Sequence, residues 1–216
     1  MKVGVLGTGR VGKAIGTRLA GLGHHVMMGS RSADNADATA WATEQGGRAS
    51  HGTFADAAAF GELLVNATAG GASLAVLESA GAENLAGKVL IDIGNPLDFS
   101  KGMPPSLTVS NTDSLAEQIQ RAFPDSKVVK AFNTMTAQVM VEPSTVPGSH
   151  NVFVCGNSED AREATVDLLR TFGWPAEDIL DLGDLTAARG LEMVLPLWVR
   201  LMSVQGTPLF NFKVVR

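Results

Sequence analysis

Three glycines in six residues, Gly7-Thr8-Gly9-Arg10-Val11-Gly12, follow the apolar run Val3–Leu6 and open a stretch with Ile15, Leu19 and Leu22 at helical spacing. A lone G-x-G-x-x-G is a weak signal, but between a strand and a helix each glycine has a task. Gly7 permits the tight turn, Gly9 lets the backbone approach a pyrophosphate, and Gly12 lets the helix pack closely on the strand. The free N–H groups and dipole of that helix then favour the anion. The chemistry this predicts is dinucleotide binding, with Thr8, Arg10 and Val11 in the same turn.

The second strand ends Met27-Met28-Gly29-Ser30-Arg31-Ser32, with no acid before Asp34. A site for NAD places Asp or Glu there to accept from the ribose 2′-hydroxyl. Ser30 instead offers a hydroxyl and Arg31 a planar fork of donors, which suits a 2′-phosphate, with Thr8 and Arg10 near enough to help. The expected cofactor is therefore NADP(H). Three later strand ends read Asn66-Ala67-Thr68-Ala69-Gly70, Asp92-Ile93-Gly94-Asn95-Pro96 and Ala131-Phe132-Asn133-Thr134-Met135. All are small and polar, as loops beside a flat ring need to be. Their repetition at three successive strand ends favours a site there, and Asn95 and Asn133, each following a strand at the cofactor edge, are candidates for the border of a ring cleft. None supplies an evident proton-transfer group, so no catalytic acid or base is assigned.

The elements that must position these residues alternate along the chain, as in a parallel sheet covered on both faces. Strands are expected at Lys2–Leu6, His25–Met28, Leu63–Ala67, Lys88–Ile93, Lys127–Phe132, Val152–Cys155 and Ile179–Leu182, with a weaker one near Ala49–His51. Helices are expected over Val11–Leu22, Ala36–Gln45, Leu74–Ser79, Ser114–Phe123, Glu159–Phe172 and Leu185–Met202, the last kinked by Pro196. Asp56–Ala59 reads as merely alanine-rich, and Leu97–Thr112, with two prolines, as a flexible flap. The fold class is α/β: a doubly wound, mostly parallel Rossmann-type sheet. One NADP-binding domain covers residues 1–216, with 150–216 as a small C-terminal α/β extension packed on it.

Composition narrows the partners. Of 216 residues, 45% are hydrophobic and 18% charged, enough for one core, and the net charge of −5 disfavours nucleic acid or an acidic membrane surface. The apolar strand beginning at Val3 leaves no room for a signal peptide, and Met193–Val199 is too short to span a bilayer. A cytoplasmic protein with small-molecule partners is expected. His24, His25, His51 and His150 show no paired metal spacing, so no metal is assigned. Cys155, the lone cysteine, falls in an apolar run and reads as core. Arg189 and Glu192, three apart, read as an intrahelical ion pair.

Taken together, Gly7–Gly12 with Gly29-Ser30-Arg31, Asp92–Phe99, Ser114–Thr134 and Gly183–Glu192 resemble the NADP oxidoreductases that depend on the deazaflavin coenzyme F420. The resemblance implies a Rossmann domain with a small C-terminal extension, often dimeric, in which nicotinamide and deazaflavin stack in one cleft and exchange hydride directly. It implies that Thr8, Ser30 and Arg31 hold the NADP phosphates, that Thr68 and Ala69 lie beside the dinucleotide, and that Asn95 and Asn133 approach the rings. Ser32 stands where relatives can carry a second basic residue, and Asn133 where archaeal members have a histidine. The sequence is also similar to the reductase domain of metalloreductases that pass electrons to a flavin. The expected function is thus hydride transfer between NADP(H) and F420 or a flavin-type acceptor. The alternatives are reduction of a small carbonyl or imine, and a non-catalytic NADP sensor.

Overall fold

The computed structural model describes residues 1–215. Strands β1 (Lys2–Leu6), β2 (His25–Ser30), β3 (Ala49–Thr53), β4 (Leu63–Asn66) and β5 (Val89–Asp92) are followed by a small ribbon, β6 (Leu97–Asp98) with β7 (Ser106–Leu107). Then come β8 (Lys127–Ala131), β9 (Val152–Gly156) and β10 (Ile179–Asp181). The helices are α1 (Arg10–Gly21), α2 (Ala36–Gln45), α3 (Phe54–Phe60), α4 (Ser73–Ala80), α5 (Ala82–Leu85), α6 (Leu115–Ala122), α7 (Ala137–Val141), α8 (Glu159–Phe172), α9 (Ala188–Met193) and α10 (Leu195–Gln205).

Apart from the ribbon, all strands join one sheet in the order β10-β9-β8-β5-β4-β1-β2-β3. The direction of winding reverses between β1 and β4. A crevice therefore opens there at the carboxyl ends, where ligands bind in doubly wound sheets. Side chains alternate between two cores, as the two-residue period of a strand requires. Val3, Val5, Val65, Ile91 and Val129 pack on one face with Ile15, Leu19, Trp41 and Leu169. Leu6, Leu64, Leu90 and Val128 pack on the other with Leu77, Ile119 and Leu191.

Three local readings are corrected, and the direction of β9 is added to them. Residues Asp56–Ala59 lie in α3, which Thr53 and Asp56 start with a reciprocal capping box. β9 runs antiparallel to β8, with β10 parallel to β9, so residues 150 onward extend the main sheet at its edge. The flap Leu97–Thr112 contains the β6–β7 ribbon. The expected helix Leu185–Met202 is three pieces: a 3-10 turn at Leu185–Ala187, then α9, then α10. Pro196 sits in the first turn of α10, where a missing N–H costs nothing, and the break falls just before it at Val194. Leu185, Ala188, Leu191 and Leu195 of this segment are buried, so its apolar face packs on the core.

Candidate functional site

The turn after β1 has the geometry its glycines require. Gly7 has φ +121°, and a Cβ there would lie 2.8 Å from the Ala67 carbonyl oxygen. A Cβ on Gly12 would lie 2.0 Å from the Gly7 oxygen, so α1 can approach β1 only with glycine at this position. Gly9 has open space where a side chain would be, and it caps α1 with no side-chain hydrogen bond and no acid in the first turn. The first N–H groups of α1 thus have no partner within the helix and no capping side chain, which leaves them available to an anion.

Beside this turn lies a cavity of ≈ 530 Å³ that brings together Gly7, Thr8, Gly9, Ser30, Arg31, Thr68 and Ala69. Arg31 is exposed at its rim, whereas Ser30 is buried and donates its hydroxyl to the Ser32 carbonyl. Phe54 of α3 and Val76 of α4 supply an apolar wall that the sequence reading had not assigned. Open backbone, uncapped helix N–H groups and a cation at the end of β2 together fit an NADP molecule. Arg10 and Val11 do not line this cavity. Arg10 borders a second one, of ≈ 550 Å³, with Thr136, Gln138 and the C-terminal residues Thr207–Leu209. Val11 packs against the core, and Gly12 is buried beneath the turn.

Asn95 and Asn133 meet each other. Asn133 Nδ2 donates to Asn95 Oδ1 at 2.9 Å and to the Leu191 carbonyl at 2.8 Å, while Asn95 Nδ2 donates to the Asn133 carbonyl at 3.0 Å. The pair adjoins the dinucleotide cavity through backbone: a Cβ on Gly70, next to Ala69, would lie 2.0 Å from the Asn95 oxygen.

Directly below is a buried ionic cluster that the sequence reading missed. Asn66, Asp92 and Lys130 are register partners across β4, β5 and β8, so their side chains form one row near the strand ends. Lys130 Nζ lies 2.7 Å from Asp92 and 2.8 Å from Glu192, with all three side chains at most 1% exposed. Burial pulls the Lys130 ammonium down, but the two carboxylates outweigh it and hold its pKa above the ordinary value. Burial pushes the Glu192 carboxyl up, with Lys130 opposing. The expected Arg189–Glu192 pair is therefore absent. Arg189 instead grips Glu117 of α6 through two bonds of 2.9 and 2.6 Å. Both side chains found stronger partners across the tertiary structure than along their own helix. Cys155 is fully buried, and burial pushes its thiol up to about 12.

A family model described as NADP oxidoreductase, coenzyme F420-dependent, matches residues 2–96. The F420-dependent NADP reductase of Methanothermobacter marburgensis is 30% identical over 210 residues, covering 93% of this chain and 92% of that protein. The chain belongs to the F420-dependent NADP oxidoreductase family. It is an NADP-dependent oxidoreductase of the α/β, Rossmann-like class. Within the family, a crystal structure from Arthrobacter sp. FB24, provisionally named an F420-dependent NADP reductase, is 52% identical and superposes with a TM-score of 0.95 over 100% of both chains. Rat metalloreductase STEAP3 is 31% identical over 205 residues, but the family member here spans only 38% of its length. A reductive aminase from Aspergillus terreus, solved with NADPH, shares the fold at a TM-score of 0.67 and 19% identity, over 95% of this chain and 62% of its own. Among the described residues no helix is long and apolar enough to cross a membrane, and no group of three His, Cys, Asp or Glu could hold a metal.

Proposed function

We propose that this enzyme transfers hydride between NADP(H) and a deazaflavin, coenzyme F420, or a flavin-type acceptor. The observation that carries the reading is the joint presence of two features. A dinucleotide cavity ends in Ser30-Arg31 with no acid, and the matched relative covered over 92% of its length is named an F420-dependent reductase. NADPH supplies two electrons as hydride to the acceptor ring, and the accompanying proton comes from solvent. The chain's part is then to bind and align, because proximity and orientation govern transfer between two bound rings.

In this reading the first-turn N–H groups of α1, with Gly7, Gly9 and Gly12 shaping the approach, hold the pyrophosphate. Thr8 and Arg31 hold the 2′-phosphate, while Ser30, whose hydroxyl donates to the Ser32 carbonyl, shapes the end of β2 beside it. Thr68 and Ala69 flank the dinucleotide, and Asn95 with Asn133 borders the rings. Arg10, which borders the second cavity, is not assigned to the 2′-phosphate. We read the chain as a single NADP-binding unit working in the cytoplasm. We also read it as a homodimer, with the exposed Leu197 and Val204 of α10 on the shared face.

The test is NADPH oxidation by the purified protein against F420, FMN, FAD, ferric chelates and small carbonyl or imine compounds. The proposal expects F420 or a flavin to support turnover far above the others. Turnover with an imine alone would replace it by the carbonyl or imine reading.

A further inference from the structure

Lys130 sits wholly buried in the last turn of side chains before the end of β8, yet its ammonium meets three oxygens: Asp92 Oδ2, Glu192 Oε1 and the Gly94 carbonyl. Each partner leads to a different wall of the proposed site. Asp92 Oδ1 accepts Asn66 Nδ2 at 2.8 Å, and Asn66 Oδ1 takes the Thr68 hydroxyl at 2.6 Å, at the dinucleotide cavity. Gly94 precedes Asn95, and Asp92 also accepts the Gly94 N–H at 3.1 Å, so the loop carrying Asn95 is held at both backbone groups of Gly94. Glu192 binds the N–H groups of Leu115 and Ala116 at 2.8 and 3.2 Å. This docks α9 on α6 and places the Leu191 carbonyl that receives Asn133.

An ionic centre of this kind is a poor device for stability alone. Desolvation offsets the attraction, and apolar replacements of similar volume often do as well. What it supplies is direction, since a satisfied polar network fixes angles as well as distances. Here one ammonium ties together three strand-end loops and the segment that lies across them.

We propose that Lys130, with Asp92 and Glu192, is a positioning residue for hydride transfer, setting the relative placement of Thr68, Asn95 and Asn133. The proposal rests on the reading that these loops flank the reacting rings. Misplacement by about 1 Å costs on the order of a hundredfold in such a step. The network therefore acts on the transfer rate, while NADPH affinity resides mainly in the α1 turn and Arg31.

The test compares the full-length wild type with the triple variant Asp92→Asn/Lys130→Met/Glu192→Gln, which leaves no lone buried charge, and with Glu192→Gln alone. Three quantities are measured: NADPH affinity by fluorescence, single-turnover oxidation of NADPH by F420, and solvent exchange of the Asn95 and Asn133 side-chain amides by NMR. The expected result is a folded triple variant with NADPH affinity within about threefold of wild type, a transfer rate down by about tenfold or more, and faster exchange at Asn133. A rate within about twofold of wild type overturns the proposal, as does an equal loss of rate and affinity. If the triple variant does not fold, Glu192→Gln is held to the same split. If the wild type itself shows no turnover with F420 or with a flavin, the functional reading fails separately. The network is then judged on amide exchange, where unchanged Asn133 protection overturns it.

Discussion

Replacing Arg31 by alanine removes the exposed cation at the end of β2 and leaves the α1 turn untouched. Ser30 already donates its hydroxyl to the Ser32 carbonyl, and Arg10 borders a different cavity. Arg31 is thus the one arginine or lysine lining the dinucleotide cavity among the described residues. A hydrogen bond to a charged partner contributes about 1.5–3 kcal/mol. Because Arg31 is exposed, solvent screening favours the lower end of that range. Since 1.4 kcal/mol corresponds to a factor of ten, NADPH affinity should fall by about tenfold. NADH lacks the 2′-phosphate, so its affinity should change by less than about twofold, and the selectivity ratio should collapse by nearly the whole effect. Titration of both dinucleotides into wild type and Arg31→Ala, followed by protein fluorescence at low and high salt, reads this directly. Salt should weaken wild-type NADPH binding more than NADH binding, and that difference should vanish in the variant. Equal losses for both dinucleotides would refute the assignment, and a wild type that prefers NADH would refute the choice of cofactor.

Three further outcomes follow from the packing. Gly12→Ala forces a Cβ to 2.0 Å from the Gly7 carbonyl oxygen, a backbone atom rather than the end of a flexible side chain. Overpacking of this kind costs up to about 3 kcal/mol, so the melting temperature should fall by about 6–12 °C; an unchanged midpoint would mean that α1 can shift. Hydrogen bonds from Arg121 bring Asp113 down to about 2, and those from Arg189 hold Glu117 below the usual carboxylate range. Their folded pKa values lie under the unfolded ones, so this stability is complete above about pH 4–5 and is lost as the pH falls toward the folded values. Melting in acid should therefore drop more shallowly in Glu117→Gln than in wild type, and parallel curves would contradict the pairing. Cys155 is buried with its thiol raised to about 12, so it should resist thiol reagents at pH 8 until the chain unfolds. Rapid labelling of the native protein would contradict its place in the core.

The glycine turn and the parallel strands were legible because both are local. Gly7–Gly12 sits between a strand and a helix that each announce themselves, and the positive φ of Gly7 and the Gly12 approach to the Gly7 carbonyl both lie within six residues. The same is true of α3 in retrospect: Thr53 and Asp56 spell a capping box three residues apart, a signal obscured by the alanines after it. The direction of β9 is different. The connection from Ala131 to Val152 is long enough for either a parallel or an antiparallel return, and it holds only the short α7, Ala137–Val141, and a 3-10 turn at Pro143–Thr145. Nothing in that stretch dictates the outcome.

The ionic cluster is a matter of register. Asn66 and Asp92 end apolar strands and Lys130 nearly ends one, an oddity visible in the sequence, but their alignment in one row depends on how the strands pair. Arg189 and Glu192 misled for a related reason. Their spacing permits a local pair, while Glu117 and Lys130, distant in the chain, offer tighter geometry once α9 docks. Asn95 and Asn133 do follow strand ends, as expected, yet their mutual hydrogen bonds could not be foreseen, because they join loops from different strands.

The central claim is direct hydride transfer from NADPH to a ring acceptor, and isotope tracing tests it without reliance on any single residue. NADPH carrying deuterium at the nicotinamide C4 position, prepared as each stereoisomer, is incubated with the enzyme and F420 in ordinary water, and the reduced deazaflavin is analysed by mass spectrometry. The account predicts that one stereoisomer delivers its deuterium to the carbon of the deazaflavin ring that accepts hydride, with none appearing in solvent. Reduction of F420 with the label lost to water, or no reduction while NADPH is consumed with a small imine, would contradict it.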